Sequence, residues 1–260
     1  MNDVVIEARD LSVTYNDDDG VVEALKDFTL RVRAGEAACV VGQSGCGKTT
    51  LLKALSAIVI PTGGGVYFHS SELRRPSHRI GMLFQESTLF PWLSVRDNVM
   101  FPLRMLGGLS AEQSASRRDS LLSLVGMIQY SEFRTSSLSA GMKQRVSLAR
   151  ALAVSPEVLL LDEPFAALDT FSKMFLYPVF LNIIRSNAIA TVFVTHDLDE
   201  AIAIADQVLI MAGGKLVHES LVTLPEPRVS NGVRCIGFEQ VRNELIERAS
   251  NAFRSPGSVN

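Results

Sequence analysis

The chain has 260 residues, 47% hydrophobic and 20% charged, which suits one large α/β domain with or without an insertion and excludes a disordered or collagen-like composition. Its 25 basic residues against 28 acidic give a formal charge of -3, so there is no basic footprint for nucleic acid. Met1 to Asp10 lacks the basic-then-apolar pattern of a secretory signal, no segment reaches about 18 uncharged apolar residues, and Cys39, Cys46 and Cys235 lack metal-site spacing, so a cytoplasmic chain without a membrane span is expected.

In chain order, Val4 to Ala8, Leu11 to Tyr15 and Val21 to Val32 alternate or are β-branched around the turn-forming Asp17, Asp18, Asp19 and Gly20, which predicts an antiparallel β start. Ala37 to Val41 then reads as an apolar strand, followed by a glycine-rich turn and a helix over Lys48 to Ala57. From Glu86 to Ser155 the pattern turns helical, with helices expected around Ser94 to Leu106, Ala111 to Val125 and Gly141 to Val154 and Pro156 ending the last. This predicts a helical subdomain inserted into a parallel sheet. Strands resume at Val158 to Leu161 and Thr191 to Thr195, with a helix over Phe171 to Arg185 between them. Gln207 to Met211 and Lys215 to His218 predict a closing hairpin through Gly213 and Gly214. Beyond Pro225, Phe238, Val241 and Leu245 mark one face of a short helix in a tail too small to be a further domain.

Gly42-Gln43-Ser44-Gly45-Cys46-Gly47-Lys48-Thr49 satisfies G-x-x-x-x-G-K-[ST] between a predicted strand and a predicted helix, which is the context a phosphate-binding loop needs. Glycines let successive N–H groups turn toward phosphate oxygens, the helix start adds partial positive charge, Lys48 reaches the β/γ-phosphates and Thr49 ligands Mg2+. Thr50 continues the same helix start. Val158 to Leu161 delivers Asp162 and Glu163 to the C-terminal sheet edge, where Asp162 would hold Mg2+ and Glu163 would orient and deprotonate a water. On their own, two acids after a strand are more often a solvated turn, and the upstream loop gives them their meaning. His196 follows its strand to the same edge, whereas His69, His78 and His218 have no such placement.

Leu138-Ser139-Ala140-Gly141-Met142-Lys143-Gln144-Arg145 resembles the signature motif of the ATP-binding cassette (ABC) family. Residues 4 to 220 also match that family in motif order: phosphate loop, Gln85, signature, Leu159 to Pro164, Ala167-Leu168-Asp169, and His196. The resemblance implies a RecA-like P-loop NTPase core with an N-terminal antiparallel β subdomain and a helical insertion at about 86–155, within a domain 1–225 followed by a short extension 226–260. It implies an ATPase using ATP and Mg2+ in a head-to-tail homodimer. ATP would lie between Gly42 to Thr50 of one copy and Ser139 and Gly141 of the other. It also implies that Tyr15 stacks on adenine, Gln85 senses Mg2+ and the attacking water, Asp169 contacts the opposite phosphate loop, and His196 serves as the switch histidine. Ser139 as a plain helix cap and Tyr15 as strand packing are the simpler readings. The signature usually has two glycines and this chain has Ala140 at the first; because the phosphate contacts fall on Ser139 and Gly141, function is expected to survive that change, with turnover left open. Cys46 implies nucleotide binding that is sensitive to alkylation.

Phe84 to Val99, with Pro91-Trp92, and Asp162 to Asp169 are similar to the nitrate/sulfonate/taurine importer group, although Phe90 and the segment from Thr170 to Phe180 depart from it. That likeness implies an importer subunit for a small anion at the cytoplasmic face of a bacterial inner membrane. It would pair with separate permease subunits and, through them, with a periplasmic substrate-binding protein, and not with nucleic acid. Leu89 to Leu93 is then either the groove for a permease helix, or Trp92 is simply core. A soluble cassette protein acting on DNA or ribosomes, or one for lipid or lipoprotein trafficking, remains the alternative.

Overall fold

Alternation at the N-terminus yields two long antiparallel strands, β1 (Val4–Asp17) and β2 (Gly20–Arg33), in a computed structural model that describes residues 3–17, 20–86, 88–230 and 232–254. Met1, Asp18, Asp19 and Ser87 therefore lie outside the described residues. The two expected short strands before Tyr15 are one strand, bent where the register shifts between Ala8 and Leu11 and where Asp10 takes φ 46°.

β3 (Ala37–Gly42) is buried along its whole length, as a strand covered on both faces must be, and it runs into α1 (Lys48–Leu55). Next come β4 (Gly63–Phe68), β5 (Ser71–Glu72) and β6 (Ile80–Leu83), none of them foreseen. β4 begins with three glycines, a composition that argues against a strand, yet it pairs with β1 in a sheet of order β2-β1-β4-β5. At Gly64, with φ 65°, a side chain would meet the Arg9 and Asp10 carbonyl oxygens at 2.2 Å, so the glycines allow the two backbones to approach.

The helical stretch contains α2 (Val95–Leu106), α3 (Ala111–Leu124) and α4 (Ala140–Ala153). Each starts at a serine whose hydroxyl accepts from a backbone N–H of the first turn: Ser94 from Asp97, Ser110 from Gln113 and Ser139 from Met142. β7 (Val158–Asp162), α5 (Thr170–Ser186), β8 (Ala190–Thr195), α6 (Leu198–Ile204), β9 (Gln207–Ala212) and β10 (Lys215–Leu221) complete the main sheet. Its order is β10-β9-β3-β8-β7-β6, parallel except for the β9–β10 hairpin. α6 was not foreseen, because at seven residues it is shorter than the apolar period can reveal.

Parallel pairing carries the C-terminal ends of β3, β6, β7, β8 and β9 to one edge, where an open α/β sheet binds its ligands. On one face β1, β2, β4 and α1 bury Leu11, Phe28 and Leu51 against the sheet; on the other, helices bury Val99, Phe165, Phe180 and Ile202. A short hairpin of β11 (Val229–Ser230) and β12 (Val233–Arg234) leads to α7 (Phe238–Arg254), which is longer than the short helix expected. Phe238, Leu245 and Ala249 of α7 are buried in the cluster that contains α5 and α6. The connection is fixed by the buried Arg228, whose guanidinium donates to the carbonyls of Ile202 at 3.1 Å, Val222 at 3.3 Å and Ala205. No helix among the described residues is long and apolar enough to cross a membrane.

Candidate active site

The loop after β3 is shaped by Gly47, which takes φ 107° and starts α1; a side chain there would meet the Ala24 carbonyl oxygen at 2.3 Å. No side chain caps this helix start, so its first N–H groups remain available to an anion. Lys48 is only 9% exposed, and its ammonium donates to the carbonyls of Gly42 and Gln43, both at 2.8 Å, which folds the side chain back over the loop. Thr49 Oγ1 donates to Asp162 Oδ2 at 2.8 Å. Burial pushes the Asp162 carboxyl above the usual carboxylate range, with the Thr49 hydrogen bond opposing the shift.

Glu163 sits one residue beyond the strand in the left-handed region, φ 48°, while its N–H still donates to the Val194 carbonyl at 3.0 Å. The resulting twist turns its carboxylate into the cleft, where Oε1 lies 3.2 Å from His196 Nδ1 and Oε2 accepts from Gln85 Nε2 at 3.4 Å. Two side chains far away in sequence, Gln85 and His196, thus meet on the Glu163 carboxylate. Gln43 to Thr50, Gln85, Asp162, Glu163 and His196 line one cleft of about 780 Å3, together with Val22 to Ala24, Ala212 to Gly214 and Phe253.

Five expected site residues do not line this cleft. Gly42 lies beneath it as an acceptor for Lys48. Tyr15 is 40% exposed on β1, and its cross-strand neighbour Val22 lines the cleft instead. Ser139 caps α4, and a side chain at Gly141 would come within 3.0 Å of the Ala167 carbonyl, so the start of α4 packs against the segment before Asp169 in the same chain. Asp169 caps α5, accepting from the Ser172 N–H at 3.0 Å and its hydroxyl at 2.6 Å, and these bonds hold its carboxyl below the usual range.

Sequence reasoning missed Gln144. Its amide donates to the Glu163 carbonyl at 2.7 Å and accepts from the Ala167 N–H at 3.1 Å, tying α4 to the backbone on both sides of Phe165. Its place inside the signature was the available signal. Burial raises the Cys46 thiol above the ordinary range, with Lys48 opposing in part, which disfavours the thiolate that alkylation needs. The cluster Leu89 to Leu93 divides. Leu89 is core at 8% exposure, whereas Trp92 is 66% exposed, which overturns the reading of Trp92 as core. Phe90 bridges the Trp92 and Phe101 rings at centroid distances of 5.4 and 4.7 Å.

Thr49 and Asp162 are hard oxygen donors already side by side, the type Mg2+ takes, and a buried carboxylate of raised pKa is one that a cation compensates. Among the described residues no three His, Cys, Asp or Glu side chains gather into a metal cage, so these two oxygens suit a cation shared with a phosphate ligand.

Residues 25–166 match the family model described as ABC transporter. The nitrate import ATP-binding protein NrtD of Synechococcus elongatus is 42% identical over 196 residues, covering 75% of this chain and 72% of that protein. The taurine import ATP-binding protein TauB of Jannaschia sp. is 35% identical over 245 residues, covering 92% and 91%. The aliphatic sulfonates import ATP-binding protein SsuB 2 of Burkholderia cenocepacia is 42% identical over 206 residues, covering 78% and 74%. Among solved structures, the dimeric post-hydrolysis state of the ATP-binding cassette MJ0796 bound to ADP and Pi superposes with a TM-score of 0.78 at 28% identity, covering 84% of this chain and 98% of that one. With a P-loop cleft at the edge of a parallel α/β sheet and these relatives across most of its length, the chain belongs to the ABC transporter family, as one of its ATP-hydrolysing cassettes.

Proposed function

We propose that the chain powers uptake of a small anion, of the nitrate, taurine or sulfonate kind, through a separate permease at the inner face of a bacterial cytoplasmic membrane. The observation that carries the ATPase chemistry is the convergence of Lys48, Thr49 with Asp162, and Glu163 with His196 and Gln85 in one cleft. The import names of the relatives support the transport role.

In this reading the loop from Gly42 to Thr50 holds the phosphates through backbone N–H groups, and Lys48 exchanges its two carbonyl partners for phosphate oxygens. Thr49 and Asp162 would hold Mg2+, which supplies positive charge to the phosphate oxygens. Glu163 orients a water and takes its proton as general base, while Gln85 and His196 keep the carboxylate aimed. Ser139, Gly141 and Asp169 stand off the single-chain cleft, which fits a site completed by a second copy in head-to-tail arrangement, while Tyr15 sits beside the same chain's cleft across from Val22, where it would stack on adenine. Residues 1–225 form the ATPase domain with its helical insertion at about 86–155, and 226–260 are its extension.

Trp92, Phe101, Met105, Leu106 and Leu109 are exposed large apolar side chains on and around α2. A patch of this kind on the insertion that also carries the signature suits a cytoplasmic permease helix. The periplasmic binding protein then acts only through the permease. The test is copurification from membranes: the chain should bring down a polytopic membrane protein, and Trp92→Ala should weaken that association more than ATP hydrolysis by the chain alone. Copurification with ribosomes or DNA instead would overturn the transport role.

A further inference from the structure

The P-loop cleft has a wall that none of the six motifs supplies: Phe253, fifteen residues into α7. It arrives there by a continuous stripe. Phe238, Leu245 and Ala249 are buried at helical spacing, and Phe253 continues that face, partly buried against the same core. A helix of 17 residues is about 25 Å long, enough to run from the buried Phe238 to the ligand edge of the sheet.

The helix is also held in place. Arg242 Nε pairs with Asp199 Oδ1 at 2.7 Å, and Arg234 pairs with Asp199 and with Glu239. Asp199 lies three residues after His196, so the anchor of α7 and the cleft histidine share one short segment. α7 packs on β9 and β10. The strand order puts β9 on the side of β3 away from β7 and β6, which carry Glu163 and Gln85 to the edge. Phe253 lines the same cleft as Ala212 to Gly214, the turn that follows β9.

We propose that α7 is part of the nucleotide site, with Phe253 as an apolar wall that contacts the portion of the nucleotide common to ATP and ADP. The proposal rests on the reading of this cleft as the ATP site. Because a phenyl ring offers neither proton nor charge to the reacting phosphate, the contact serves ground state and transition state alike: losing it raises KM and leaves the rate at saturation in place.

The test is titration of the full chain with ATP and with ADP, alongside steady-state hydrolysis. Phe253→Ala should weaken both nucleotides equally, about fivefold, raise KM to match and keep kcat. Phe253→Tyr, which retains the ring, should restore binding, and Glu247→Ala, on the exposed side of the same helix, should bind as the parent does. If circular dichroism shows that Phe253→Ala loosens α7, Phe253→Leu, which keeps apolar packing and removes the ring, carries the test with an equal loss for both nucleotides. Parental affinity in the ring-deleted variant overturns the proposal, as does tighter binding, which would make the helix tip an obstruction. Lys48→Ala in the same titration separates the two levels: if it binds ATP normally, the reading of the cleft itself fails.

Discussion

The starts of α1 and α4 are both candidate anion sites, and the structure treats them in opposite ways. At α1 the first residue follows a left-handed glycine with no side-chain cap, and the cleft opens directly onto its N–H groups. At α4 the Ser139 hydroxyl already accepts from the Met142 N–H, and the helix start lies off the cleft, packed near Ala167. One start is uncapped and faces the cleft, the other has one N–H taken by its cap and lies off it. A helix dipole alone does not make a phosphate site: the loop before it must leave donors unspent and enclose them. In the proposed dimer this divides the labour: the α1 start of one copy would bind the phosphates, and the α4 start of the other would close over them.

Four measurements test this contrast. The largest effect is expected at Glu163→Gln, which keeps the α1 half intact and removes the proton acceptor: kcat should fall about 1,000-fold with ATP affinity retained, and light scattering should show ATP-dependent dimers. Near-parental hydrolysis would remove Glu163 as base. Lys48→Ala strips the α1 half itself, and calorimetry should show ATP binding weakened about 100-fold, about 2.7 kcal/mol. Ser139→Ala probes the other start. It should lower stability by about 1 kcal/mol through loss of the cap and reduce dimer formation, while ATP affinity of the single chain stays parental. A loss of monomer affinity would show that the two starts are not separate. The smallest effect concerns Cys46. With its thiol raised by burial, little thiolate exists at neutral pH, so alkylation followed by mass spectrometry should be slow at pH 7 and accelerate as pH rises through and beyond the ordinary thiol range.

The legible parts of the fold were those whose residues carry one unambiguous signal. β3, β7 and β8 are uninterrupted apolar runs, and the phosphate loop between β3 and α1 could be placed from its glycines. β4 was hidden because Gly63, Gly64 and Gly65 serve a close approach to β1 and not strand propensity. β6 and α6 are too short for a period to emerge. In the site, Asp162, Glu163, His196 and Gln85 could be named from strand ends and motif order, and the structure gathers them on one cleft. Gln144 and Phe253 could not, because their positions depend on packing between segments far apart: one inside a helix already assigned to another task, the other at the end of a tail. The exposure of Trp92 was equally unreadable, since an aromatic in an apolar cluster looks the same in sequence whether it faces core or solvent.

With Glu163 as the proposed general base, its left-handed backbone sets stability against chemistry at a single residue. A carboxylate-bearing side chain in that region costs the folded state about 1–3 kcal/mol, and glycine or asparagine would adopt the same conformation with less strain. A library of this chain sorted for heat resistance alone would therefore enrich inert proteins at position 163, and any programme of thermostabilisation has to score turnover beside melting temperature.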